Sequence, residues 1–147
     1  MQPDGVITSR SCSELVEAKR IRRSSFQPEQ LAREYVALTR DAGSRIPLLL
    51  LLLGAAPPVS IAGAGRMDIE DVITMHLASV YERTPDHPWS LATLLDRLPT
   101  AYAWITWQEL SDIITEHVGR MRPDNTSVVA TIDRLAASVT RSIRRHA

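Results

Sequence analysis

The chain has 147 residues, the usual length of one domain, and its 17 Lys and Arg residues balance its 17 Asp and Glu residues. This balance disfavours a generic polyanion binder, and 44% hydrophobic with 23% charged residues argues against a disordered, collagen-like or multi-span membrane chain. Cys12 has no second cysteine to pair with, which favours a reduced, cytoplasmic setting.

Composition changes near residue 67, so we predict two regions. Residues 1–66 carry nine basic and six acidic side chains and have Gly and Pro residues just before the boundary, which is typical of a linker. Residues 67–147 carry eight basic and eleven acidic side chains and keep helical apolar spacing almost throughout. We therefore expect a poorly ordered N-terminal extension followed by a compact helical domain.

Two short helices are predicted within the extension. The spacing Ser11-x-x-Glu14 has the form of a capping box, and the helix that it starts would run into the basic cluster at 19–23. The arginines of that cluster could contact phosphates, although such a run is more often a solvated face. A second helix is predicted from Pro28, at a first-turn position, to a stop at Gly43.

Residues 46–64 carry no charge and include six consecutive leucines. The stretch approaches the length of a membrane span, but Pro57-Pro58 and small residues interrupt it, so a spanning helix is not expected. Arg45 before the run and Ala62-Gly63-Ala64 after it resemble a signal peptide. That interpretation requires translation to begin downstream, near Val36, and would mean export. The simpler interpretation is an apolar segment within a Pro/Gly linker.

Four amphipathic helices are predicted in residues 67–147, each with its own start signal. The start signals are Asp68, Ser90, the capping box Thr106-x-x-Glu109, and Asp124 or Asn125. The first three stops are Thr84-Pro85, Pro99 and Gly119. The only extended candidate, 102–105, has helical neighbours, so we predict an all-α fold with a small four-helix body.

Charge is unevenly distributed within this body. Residues 67–118 hold nine acidic side chains and two arginines, whereas residues 119–147 hold six arginines and two aspartates. The last helix therefore offers a basic ridge, although arginines near a helix C-terminus also complement the helix dipole.

The order of the last two helices is that of a helix-turn-helix. Residues 109–118 would be the positioning helix, 119–125 the turn, and the helix from Thr126 the recognition helix, although this turn is longer than usual. Short polar groups and arginines at such a helix start suit phosphates and base edges, although Ser and Thr there are also common caps. The candidate DNA-binding residues are Arg122, Thr126, Ser127, Thr131, Arg134, Arg141, Arg144 and Arg145.

No catalytic, metal or cofactor motif stands out. The four histidines do not combine i, i+4 spacing with a nearby third ligand, and Cys12 lacks a Cys-His arrangement. We therefore expect a non-enzymatic protein without metal or cofactor, and the leading hypothesis is a small regulator that binds duplex DNA. The alternative is an interaction module that pairs its acidic and basic faces with a second copy or another protein. A membrane partner is not expected.

Overall fold

The computed structural model describes residues 3–19, 25–121 and 124–146. In these ranges the chain forms a mixed α/β fold with six strands and five helices. The strands are β1 (Gly5–Thr8), β2 (Cys12–Ala18), β3 (Ile46–Leu53), β4 (Val59–Ile61), β5 (Gly65–Met67) and β6 (Tyr102–Thr106). The helices are α1 (Gln30–Asp41), α2 (Ile69–Glu82), α3 (Leu91–Ala101), α4 (Trp107–Arg120) and α5 (Thr126–His146).

The main sheet has the strand order β1-β2-β3-β6. Strands β1 and β2 form an antiparallel hairpin, and β2, β3 and β6 run parallel. Parallel neighbours require crossover connections, which here contain α1 and then α2 with α3. The carboxyl ends of three strands therefore lie at one edge of the sheet. Strands β4 and β5 form a small separate ribbon.

The leucine run is the central strand, which corrects the linker interpretation of this stretch. Leu49, Leu51 and Leu53 are buried on one face, and the alternating leucines are half-buried on the other. Strand β3 has paired neighbours on both edges, one buried face and one half-buried face, and apolar side chains suit both faces. Its sequence is therefore a continuous apolar run without the alternation of an exposed strand. In the described ranges, no helix combines the length and hydropathy needed to span a membrane.

Helices α1, α2 and α3 cover one face of the sheet. Their apolar side chains form a single core with the fully buried leucines of β3. The Tyr35 hydroxyl of α1 donates a hydrogen bond to the Leu94 carbonyl of α3 at 2.7 Å, which ties two of these helices together. Helix α4 continues directly from β6, and α5 packs on α4.

The predicted all-α fold is wrong, because the described residues form six strands besides five helices. The part expected to be a partly helical or disordered extension contains α1 but also three strands of the main sheet. Residues 12–18, expected to be helical behind a Ser11-x-x-Glu14 capping box, form β2. Residues 102–105, the discounted extended candidate, lie in β6. Both segments pair with β3 along its two edges, and this non-local pairing overrides the local helix signals.

The helix predictions that rest on strong local signals are confirmed. Helix α1 lies between Pro28 and Gly43 as expected, and α2, α3, α4 and α5 occupy the four predicted positions. Thr106 and Glu109 form the expected capping box. Pro99 does not end α3, which continues to Ala101.

Candidate functional site

Polar side chains meet where β2 ends. The register that pairs Gly5 with Val16 places Asp4 beside Glu17, and a carboxylate oxygen of Asp4 accepts a hydrogen bond from the Ala18 amide at 2.8 Å. Glu17 and the residue two positions later point to the same side of the strand because strand side chains alternate. That residue is Lys19, whose ammonium lies 2.9 Å from a Glu17 carboxylate oxygen.

Helix α1 contributes two further polar side chains to the same place. Gln30 and Glu34 lie one turn apart on α1, and both are more than 90% buried. The Gln30 carbonyl oxygen accepts from Lys19 at 3.2 Å, and its amide nitrogen donates to Glu17 and, at 2.9 Å, to Glu34. We call Asp4, Glu17, Lys19, Gln30 and Glu34 the β2-end cluster.

Glu34 is the unusual member of the β2-end cluster. Its second carboxylate oxygen is buried without a hydrogen-bond partner among the described residues. Burial raises the pKa of Glu34 to about 7, the hydrogen bond from Gln30 lowers it in part, and the neighbouring Glu17 carboxylate raises it further. A buried polar oxygen without a partner carries a desolvation cost that an incoming cation or hydrogen-bond donor would relieve.

Lys19 is held in place by three contacts besides Glu17 and Gln30. Its ammonium lies 4.8 Å from the centre of the buried Phe26 ring, a cation–π geometry. Its backbone amide donates to the Leu52 carbonyl, and its carbonyl accepts from the Trp107 indole, both at 2.8 Å. The backbone of Lys19 is thus held by β3 and α4, and its ammonium is held by Phe26 in the segment before α1.

The β2-end cluster places the carboxyl groups of Asp4, Glu17 and Glu34 around the end of β2, near the amine of Lys19. Carboxylates are the protein ligands that Mg²⁺ and Ca²⁺ prefer, and open α/β sheets bind their ligands at the carboxyl ends of strands. In the described ranges, no three or more His, Cys, Asp or Glu side chains are arranged to hold a metal ion. Any cation here would therefore take part of its coordination from water or substrate.

The arginines proposed for DNA binding lie on the outer surface of α5. Arg134, Arg141 and Arg145 follow i, i+7, i+11 spacing, which aligns them on one side of the helix, and all three are exposed. Ser127 lies on the same side, whereas Arg144 is exposed a short way around the helix. No ion pair of the described residues involves these arginines.

The remaining predicted DNA-binding residues divide into two groups. Thr126 and Thr131 are exposed near the start of α5, where the Thr131 hydroxyl donates to the Ser127 carbonyl and accepts a 3.3 Å hydrogen bond from Arg134. These local hydrogen bonds are typical of polar residues near a helix start, so they do not distinguish a helix cap from a surface that contacts DNA. Arg122 lies outside the described residues.

A second polar concavity, of about 370 Å³, lies between the start of α2 and β6. Asp68, Glu70 and Asp71 line it together with Tyr102 and Trp104. Burial raises the pKa of Tyr102, and the nearby carboxylates of Glu70 and Asp68 raise it further. Because its walls are acidic, this concavity disfavours a phosphate ligand.

The β2-end cluster does not follow from the sequence patterns described above. Glu17-x-Lys19 fell inside a segment assigned to a helix, where residues two apart point in different directions. The available signal was the pair of opposite charges at Glu17 and Lys19, which lie on one side of the chain if the segment is a strand. Asp4 reaches the site only through the hairpin register, which no local pattern predicts.

Comparisons of the chain with protein-family models, curated proteins and solved structures gave no match.

Proposed function

We propose that the β2-end cluster binds a divalent cation through Asp4 and Glu17 and hydrolyses phosphodiester bonds in nucleic acid. The observation that carries this proposal is the contact of the buried Glu17 with Lys19 next to Asp4. In the same cluster, one Glu34 oxygen has no hydrogen-bond partner among the residues that the structure describes. The proposal goes beyond the binding-only function expected from the sequence.

Two carboxylates suffice for the cation in this proposal. Mg²⁺ keeps several of its waters and is commonly held by one or two carboxylates together with phosphate oxygens of the substrate. Asp4 is exposed at the edge of the sheet, whereas Glu17 is only 5% exposed. A cation bound by both carboxylates would therefore lie at the boundary between the solvent and the protein interior.

Lys19 supplies the positive charge that the reaction needs beside the cation. In hydrolysis, a water oxygen bonds to phosphorus, the bond from phosphorus to the leaving sugar oxygen breaks, and that oxygen takes up a proton. Negative charge develops on the phosphoryl oxygens, and a fixed ammonium next to a cation stabilises it. The contacts of Lys19 with Phe26, Gln30 and Glu17 hold the ammonium in advance of substrate binding.

Nucleic acid is the substrate class that the basic residues of the chain favour. In the sequence, Lys19 is directly followed by Arg20, and Arg22 and Arg23 come soon after. On α5, Arg134, Arg141 and Arg145 are exposed cations of the same molecule. Phosphate contacts of this kind position a nucleic acid without reading its sequence.

The test is cleavage of end-labelled DNA and RNA by the full chain with Mg²⁺ or Mn²⁺. We expect Lys19→Ala and Glu17→Gln each to reduce cleavage by on the order of 100-fold or more, because each removes a charge at the reacting phosphate. Glu14→Gln is the matched control, since Glu14 is an acidic residue of the same strand on its opposite face. It should retain the activity of the unchanged protein.

Cation binding is measured separately by the Mn²⁺ electron paramagnetic resonance signal. Glu17→Gln and Asp4→Asn should weaken Mn²⁺ binding, whereas Lys19→Ala should retain it. The proposal fails if the unchanged protein neither cleaves nucleic acid nor binds Mn²⁺, or if Glu17→Gln behaves like Glu14→Gln in both assays.

A second candidate function is binding of duplex DNA without cleavage, as in a small regulator. The observation that favours it is that Arg134, Arg141 and Arg145 are exposed on one side of α5, a helix whose start is polar and capped. We place either activity in the cytoplasm, which the presence of Cys12 as the only cysteine supports.

A further inference from the structure

We propose that a second copy of this chain docks on the exposed apolar side of the α4–α5 pair, so that two such pairs form a symmetric four-helix dimer. This interface is independent of the proposed hydrolysis.

Helix α5 has two apolar sides with different surroundings. Ile132, Ala136 and Ile143 are half-buried or buried, as expected for the side that packs into the rest of the molecule. Beside them, Val128, Leu135 and Val139 follow i, i+7, i+11 spacing and remain exposed. We call these three residues the outer row. A 21-residue helix with a second apolar side has more apolar surface than α4 covers.

Exposed apolar side chains are concentrated in the part of the chain that forms α4 and α5. Of the eleven large apolar side chains that are exposed in the described part of the chain, five lie between residues 113 and 139. Besides the outer row, these are Ile113 of α4 and Met121 in the connection to α5. A concentration of this kind is typical of an interaction site, whereas exposed apolar residues elsewhere are scattered.

Charge identifies a second copy as the occupant. Helix α4 carries three exposed carboxylates and one exposed arginine, Arg120, which pairs with Glu116, so its net charge is negative. Helix α5 carries four exposed arginines and one aspartate, so its net charge is positive. In a symmetric contact the same surface is used twice, so α4 of each copy can lie against α5 of the other. Acidic and basic borders then meet on both sides of the apolar seam. The carboxylates are Glu109, Asp112 and Glu116, and the arginines are Arg134, Arg141, Arg144 and Arg145.

The dimensions suit this arrangement. A helix of 21 residues is about 30 Å long, enough for several turns of side-chain packing against an antiparallel neighbour. Pairs of helices joined by short connections pack in this way in four-helix bundles.

The test is sedimentation equilibrium of the full chain and of Leu135→Glu. Leu135 is 63% exposed, so the substitution is compatible with folding of one copy, which circular dichroism checks. We expect the unchanged chain to be a dimer and Leu135→Glu to raise the dimer dissociation constant at least about tenfold, because a charge in the seam removes an apolar contact. Met75→Glu is the matched control, since Met75 is 60% exposed on α2, away from α4 and α5.

Salt and nucleic acid separate the alternatives. Dimerisation should weaken when salt is raised, because the borders of the seam are charged. A chain that is monomeric at the highest concentration measured overturns the proposal, and so does a dimer that Leu135→Glu leaves as stable as Met75→Glu does. The proposal is equally overturned if Leu135→Glu leaves the mass unchanged and abolishes nucleic-acid binding instead, since the outer row would then contact nucleic acid.

Discussion

At the level of single residues, the Glu34 carboxyl group lies where its charge is least favoured. It is buried beside Gln30, and the carboxylate of Glu17 is close by. One of its oxygens has no hydrogen-bond partner within residues 3–19, 25–121 and 124–146. Its pKa of about 7 lies above the ordinary value of 4.5, so the folded chain keeps a proton there that the unfolded chain has released. Without a cation, ionisation of Glu34 therefore works against folding.

This arrangement predicts a pH-dependent difference between the unchanged chain and Glu34→Gln in buffer with EDTA. Below pH 4.5 both states carry the proton and the carboxyl causes no loss. Between pH 4.5 and 7 the unfolded state binds fewer protons, so the stability of the unchanged chain falls, by up to roughly 3 kcal/mol. Glu34→Gln has no carboxyl group at this position, so its stability should not fall for this reason.

Urea unfolding at pH 5 and pH 8 measures the difference. The free energy of unfolding of Glu34→Gln should gain on that of the unchanged chain as the pH rises. Glu14→Gln, on the open face of the sheet, serves as the control and should show no such gain. A constant offset between the two chains at both pH values would contradict the expected ionisation of Glu34.

At the level of elements, the helices follow from local signals and the main-sheet strands do not. Thr106 and Glu109 cap each other within one turn, so the start of α4 is readable from four residues. Strand β2, in contrast, exists because β1 and β3 pair with it on its two edges, and β3 is a uniform leucine run whose period is hidden. Residues such as Glu17 and Lys19 could therefore not be recognised as a site, because their proximity depends on the strand.

Helix α5 lies where the sequence predicts it. DNA binding by its arginines remains a prediction. The triple change of Arg134, Arg141 and Arg144 to Ala should abolish gel retardation of duplex DNA at low salt without lowering helicity, because it removes phosphate contacts. Arg33→Ala combined with Arg40→Ala, on α1, is the control and should shift DNA normally. Retardation that survives the triple change would rule out α5 as the contact.

At the level of the whole molecule, the two regions distinguished by composition share one sheet. Strand β3 precedes residue 66 and β6 follows it, yet the two pair directly through five residues of β6. Helices α2 and α3 also bury their apolar sides against α1 and β3. The core is therefore continuous across residue 67, where the charge of the sequence changes.

The fragment 67–147 tests this conclusion. Without β3 and α1, the buried side chains of α2 and α3 would face water, so we expect the fragment to lack a cooperative thermal transition. Circular dichroism of the fragment and of the full chain makes the comparison, with the near-ultraviolet signal of the tryptophans as the measure of packing. A fragment that melts as sharply as the full chain would contradict the shared core.

The hydrogen bond from the Trp107 indole to the Lys19 carbonyl joins residues 88 positions apart in the chain. It connects the first turn of α4 with the strand end that carries the amine, with no flexible segment between them. A movement of α4 would therefore displace the Lys19 carbonyl and, with it, the end of β2.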